Sequence, residues 1–288
     1  MSSTIFIVWR ESIEAMLVVG ILYSWLKNQS LTDAECNASS VGMRFLWGGV
    51  ATGIALAASL AFVMLKVQSE LAAEALDYFQ IIILLVASAL ITQMVLWMRS
   101  HGRHLKHDLE SGLQASHEQS NWWGMFALTA IAVGREGAET VIFLYGTGLS
   151  QQNEMMSFIL SASGGFVLAF CTFWILSKGT RYFSWQLFFR MSEILLLLLA
   201  AALLVSGVDH MIGLGWIPPL VDPLWDSSFL LDDSSRVGGV IAAFTGYRAQ
   251  PALMLLMIYL AYWVSVSFLL RRSSRSHSSR SHSAKASV

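Results

Sequence analysis

Charge is what this chain lacks most. Asp, Glu, Lys and Arg together make up 13% of its 288 residues, against roughly 25% in a soluble domain. Hydrophobic residues make up 55%, in runs long enough to cross a bilayer, which places the chain in the membrane class. The formal net charge is −1, so there is no global basic field to attract nucleic acid. Two cysteines, Cys36 in a polar stretch and Cys171 in an apolar run, cannot make a disulfide framework, and neither sits at metal-ligand spacing. The start of the chain has no basic n-region, and no small-residue cleavage site follows the first apolar run, so that run reads as a retained span. There is no HExxH zinc helix and no GxSxG elbow, which argues against an intramembrane enzyme that uses glutamates as acid and base. The last apolar run holds no lysine for a retinal Schiff base, which argues against a seven-span pigment.

What charge there is falls in an unusual place. The string Arg10-Glu11-Ser12-Ile13-Glu14 lies inside IFIVWRESIEAMLVVGILYSWL, and Arg135-Glu136-Gly137-Ala138-Glu139 lies inside MFALTAIAVGREGAETVIFLYG. An ionisable side chain at membrane depth costs roughly 2.5–3.5 kcal/mol on insertion scales. On a helix, residues three and four apart share a face. Arg10 can therefore pair with Glu14, and Arg135 with Glu139, leaving one further carboxylate in each string. Either string alone fits a buried salt bridge that holds a bundle together. Two at matched places point instead to a polar path. Glu11, Glu14, Glu136 and Glu139 would then present hard oxygen donors to a cation such as iron, Mg, Ca or Mn, with Arg10 and Arg135 as supporting counter-charges.

Hydropathy predicts an all-α, polytopic membrane protein with seven transmembrane helices, at about 4–26, 44–66, 78–98, 122–149, 155–177, 187–208 and 251–270. Residues 1–270 form the permease-like domain, and the Ser- and Arg-rich stretch 271–288 reads as a disordered cytoplasmic tail. Basic segments (Arg99, Arg103 and Lys106; Lys178 and Arg181; Arg271 and Arg272) alternate with acidic ones (Glu70, Glu74 and Asp77; Glu154; Asp209, Asp222, Asp226, Asp232 and Asp233). The positive-inside rule then puts the N-terminus outside and the C-terminus in the cytoplasm. The two strings fall in the first and fourth spans, so three spans separate them and they run in opposite directions. That is an inverted three-plus-three helix repeat with one helix left over. Gly48-Gly49 in the second span and Gly164-Gly165 in the fifth are a further echo, suited to close helix approach.

The paired RE-x-x-E strings resemble the iron permease family best known from fungal high-affinity iron uptake, which has bacterial members. The likeness extends to MVLWM followed by HGRHLK, and to PLWDSSFLL leading to FTGYRAQPALMLLMIYLAYW. It implies seven spans, a location in the plasma or inner membrane, and high-affinity transport of ferric iron as substrate, with no resident cofactor and no catalysed reaction. By position it implies Glu11, Glu14, Glu136 and Glu139 as permeation residues, with Arg10 and Arg135. It also implies a partner on the outer side, either a multicopper oxidase or a periplasmic iron-handling protein. Carboxylates alone do not fix the oxidation state, so ferrous iron, manganese and lead remain alternative cargoes. Where many relatives have an acid after the Phe that opens the third span, here Phe79 is followed by Gln80, with Asp77 before it.

Other polar groups have bland and functional readings. Glu70, Glu74 and Asp77 are spaced for one helical face, as a cation-collecting mouth or a plain acidic loop. His101, His104 and His107 would line one side of a helix, as an inner metal contact or a solvated turn. Glu193 reads as the partner of Arg190. Residues 209–250, with Pro218, Pro219 and Pro223, read as a long outer loop, and Trp97, Trp122, Trp123, Trp185 and Trp263 as interfacial anchors.

Overall fold

A computed structural model of the chain describes residues 2–29, 36–101, 122–146, 155–177, 185–233 and 235–285. Among them there is no strand. In lipid every backbone N–H and C=O must be satisfied within the segment, and a run of apolar residues does this as a helix. The elements are α1 (Ser2–Gln29), α2 (Cys36–Glu70), α3 (Ala73–His101), α4 (Trp122–Leu144), α5 (Met155–Ser177), α6 (Trp185–Gly213), α7 (Arg236–Thr245) and α8 (Leu253–Lys285). Five stretches are long and apolar enough to cross a membrane: Val41–Glu70, Glu74–Arg99, Phe158–Ile175, Arg190–Gly213 and Leu253–Arg272. The other two expected spans, α1 and α4, are the helices that carry the charged strings. All four prolines fall between α6 and α8 or at the approach to α8, so none interrupts a spanning helix.

The chain divides into two compact units. The first holds residues 1–76 and 104–188, and the second holds 77–103 and 189–288. In the first unit α2 packs on α4, α1 on α5, and α1 also on α4 and α2. Leu22, Leu26, Leu46 and Met125 form a fully enclosed cluster at one end, flanked by Trp25 and Trp122.

Glycines set how closely these helices meet. A Cβ added at Gly53 on α2 would stand 3.0 Å from the Ala130 carbonyl and 2.8 Å from Val133 Cβ on α4. A Cβ added at Gly165 on α5 would stand 2.7 Å from the Ile5 carbonyl and 3.0 Å from Val8 Cβ on α1. Ile5 and Val8 precede Arg10 by the same intervals at which Ala130 and Val133 precede Arg135. Gly53 thus meets α4 at the same intervals before Arg135 as Gly165 meets α1 before Arg10. Gly49 also touches α4, at Phe126 O, whereas Gly164 has nothing within 4 Å.

In the second unit Ser88 Oγ donates to Ala200 O (2.7 Å), joining α3 to α6. The Thr92 and Tyr262 hydroxyls, 3.0 Å apart, join α3 to α8. Val205, Val208, Ala252 and Leu255 enclose the start of α8 against α6. Glu193 differs from expectation: its carboxylate pairs with Arg99 Nε on α3 at 3.1 Å, while Arg190 is exposed. A cross-helix partner does work here that a same-helix one would not, because it ties two elements together. Asp209, expected in a loop, lies within α6 and pairs with Arg248 at 3.0 Å. The expected disordered tail is drawn as a continuation of α8 to Lys285.

The segment between α6 and α8 is ordered by its own bonds. Ser227 N donates to Ala249 O, and Leu224 N to Pro251 O. Tyr247 Oη donates to Leu231 O. The Ser228 hydroxyl and amide and the Gln250 amide all donate to Asp226, and these bonds, Ser228 first, hold its carboxyl below the usual carboxylate range.

Candidate metal centre

α1 brings three charges to one place by helical spacing. The Arg10 guanidinium binds the Glu11 carboxylate through Nη1 and the Glu14 carboxylate through Nη2. Arg10 and Glu11 are each 1% exposed, and Glu14 is 14% exposed. Burial on this scale requires the pairing, since an unpaired charge in such a place is expelled or neutralised. On α4, Arg135 Nε binds Glu139 Oε1 at 2.8 Å, and Arg135 is 42% exposed. Glu136, on the neighbouring face, is buried.

The packing of α4 on α2 turns Glu136 inward. Gly134 meets Gly53, and a Cβ at Gly137 would collide with that of Ala57. With its glycine face committed to α2, α4 presents Glu136 to α1. There the carboxylates of Glu11, Glu14 and Glu136 converge, with one oxygen from each lying within 4.8 Å of the others. Among the described residues this is the one group of three or more metal-ligating side chains that comes together. Its donors include no thiol and no imidazole.

Three carboxylate oxygens are left without a hydrogen-bond partner: Glu11 Oε2, Glu136 Oε2 and Glu139 Oε2, all buried. A buried acceptor with no donor costs about 1–3 kcal/mol, more when charged, and is found where something else completes the site. Two guanidinium groups against four carboxylates leave the cluster two negative charges when all are ionised. A hard cation with oxygen-rich coordination satisfies both the lone pairs and the charge.

The other expected contacts fare differently. Glu139 stays with Arg135 and is outside the three-carboxylate group. Glu70, at the end of α2, is exposed and 4.0 Å from Lys66. Glu74 is exposed in the first turn of α3, and Asp77 follows it there. None of the three joins the converging group. His101 is the last residue of α3, and nothing of its side chain is described. His104 and His107 lie outside the described residues. Sequence reading missed a bond that fixes α1 beside the site: Trp9 Nε1 donates to Thr172 Oγ1 on α5 at 3.0 Å. An indole next to Arg10 was the available signal, but its partner is far away in sequence.

Comparison with known proteins places the chain in a family. The profile of the iron permease FTR1 family matches residues 1–272. A protein of Escherichia coli O6:K15:H31 (strain 536 / UPEC) named ferrous iron permease EfeU is 25% identical over 283 residues, covering 96% of this chain and 98% of that one. A relative from Escherichia coli (strain K12), whose name includes the words "inactive ferrous iron permease EfeU", shows the same identity and coverage. A protein of Archaeoglobus fulgidus named only as uncharacterized is 26% identical over 272 residues, 92% of each chain. No solved structure matches the chain. With five helices among the described residues long and apolar enough to cross a membrane and a match over nearly its whole length, this chain is a multi-pass membrane transporter that belongs to the iron permease FTR1 family.

Proposed function

We propose that this protein moves iron across the cytoplasmic membrane by way of the Glu11, Glu14 and Glu136 carboxylates, with Glu139 as a fourth acid held in reserve by Arg135. The observation that carries the proposal is the meeting of three carboxylates from two helices, with lone pairs left unsatisfied in a buried place. The same register of Gly53 and Gly165 relative to the two strings supports an inverted repeat. In that repeat α1 to α3 correspond to α4 to α6, and α8 stands outside it. Such repeats place the substrate site at their junction and open it to each side in turn by rocking. The loop charges support an outside N-terminus.

Resemblance alone suggests ferric iron, whereas relatives carry the name ferrous iron permease. Charge favours the ferrous reading. A cluster with two net negative charges is neutralised by Fe²⁺, and Fe³⁺ would leave an excess positive charge in a low-dielectric place unless another carboxylate were recruited. The test is uptake of radioactive iron into cells lacking other iron importers, with and without ascorbate and with a ferrous-specific chelator. Glu136→Gln lowers uptake by about tenfold or more at unchanged membrane level. Uptake at the unmutated rate removes the proposed path. Uptake that survives the ferrous chelator restores ferric iron as cargo, and competition by excess manganese or lead measures selectivity.

A further inference from the structure

We propose that α7 and the turn before it form a re-entrant element seated in the bilayer, and that the occupant of its exposed apolar face is lipid. The sequence presents 209–250 as an outer loop, and its length and aspartates fit water. The structure places part of it at membrane depth. Gly246, the C-cap of α7 in left-handed conformation (φ 72°), packs against Ala202 of α6, where an added Cβ would stand 3.0 Å from Ala202 Cα. Ala202 lies roughly 16 Å along the axis from Gly213, at 1.5 Å per residue, and the apolar stretch of α6 runs from Arg190 to Gly213. The bilayer's hydrocarbon core is about 30 Å thick. Gly246 is therefore near its middle. Tyr78 and Trp216, stacked at 5.0 Å between ring centres, mark the interface on this side.

The composition of α7 agrees. After Arg236 it reads VGGVIAAFT, with no charged residue. A helix on a water-facing surface has a polar face, and one that is apolar all round is buried or in lipid. Yet α7 is not buried by the protein: Val237 is 66% exposed, and Val240 and Ile241 are also exposed. Just before it, Phe229 and Leu230 are 87% and 79% exposed. The aspartates between α6 and α7, Asp222, Asp226, Asp232 and Asp233, all precede the helix, as expected if the chain leaves water there. Backbone satisfaction also fits. Gly238 N donates to Ser235 Oγ, Gly239 N to Ser235 O, and Gly246 N to Ala242 O. A helix capped at both ends can enter hydrocarbon where an open loop cannot. At about 15 Å it is half the length of a span, so it enters and returns on one side.

The test uses the full chain in phosphatidylethanolamine–phosphatidylglycerol vesicles, with Cys36 and Cys171 replaced by serine. Single cysteines at Ser228, Val237 and Ile241 carry a nitroxide, and collision with oxygen is compared with collision with a water-soluble nickel chelate. The expected result is chelate access at 228, lower access at 237, and oxygen-dominated collision at 241. Chelate access at all three positions makes the segment an aqueous loop and overturns the proposal. Labels at 237 and 241 shielded from both colliders mean that protein covers α7, which overturns lipid as its occupant. Each substitution is at an exposed side chain that is not part of the glutamate cluster, so iron uptake is a separate readout from this one.

Discussion

The two charged strings share a spelling and differ in how they are held. In the first, a buried Arg10 clamps both of its glutamates. In the second, Arg135 is half-exposed and holds only Glu139, while Glu136 turns away towards α1. Charge pattern alone makes the strings equivalent, but neighbouring helices do not. α1 is enclosed by α2, α4 and α5, whereas the Arg135 side of α4 continues through the exposed Ile131 and Trp123. The first string is a fixed floor of the site. The second supplies the third ligand, Glu136, and the more exposed salt bridge.

Removing the two arginines tests that difference most directly. Arg10→Ala leaves two buried carboxylates without their counter-charge, a loss of about 3–5 kcal/mol for a buried pair. Little folded protein should survive detergent extraction, as judged by thermal melting on size-exclusion chromatography. Arg135→Ala removes a half-exposed partner that holds one carboxylate rather than two and should cost less, about 1–3 kcal/mol. Equal losses would erase the distinction between a clamped string and a loose one.

The glycines beneath each string sharpen the comparison by testing what the strings have in common. Gly53→Ala and Gly165→Ala each force a methyl against backbone on the facing helix, at a cost of about 1–3 kcal/mol. Similar losses at both positions fit matched packing under the two strings, and a loss at one only would break the match. Gly164→Ala, with open space around it, should be neutral or gain up to about 1 kcal/mol from helix propensity.

The smallest effect belongs to an ion pair outside the strings. Arg99 and Glu193 are both partly exposed, so Arg99→Ala should cost about 1 kcal/mol or less, with iron uptake retained. A loss of uptake in Arg99→Ala at normal protein level would mean that the site depends on more than the strings.

Much of this was legible in the sequence. Long apolar runs specify helices whatever their neighbours, because the bilayer leaves the backbone little alternative. The strings were legible because charge at membrane depth is costly enough to require a reason. Which carboxylates would meet was not. Spacing places Glu136 and Glu139 near one face of α4 but does not say which is turned to α1, and that is set by Gly134 and Gly137 seating α4 on α2. The Arg190–Glu193 spacing was likewise a plausible pair, but it lost to Arg99, 94 positions away in sequence. The depth of α7 depended on Gly246 meeting Ala202, a contact that no local pattern encodes.

Arg10 has a consequence for selectivity. A pore lined by bare acids would admit any passing sodium ion or proton, and a membrane protein with such a leak would dissipate the gradients its cell maintains. Here the seat is already taken by a tethered cation that cannot leave. A visitor must be held by the carboxylate oxygens that the fixed guanidinium leaves over, which a singly charged ion does poorly and a doubly charged one does well. On the proposed path the arginine thereby sets a valence threshold for passage.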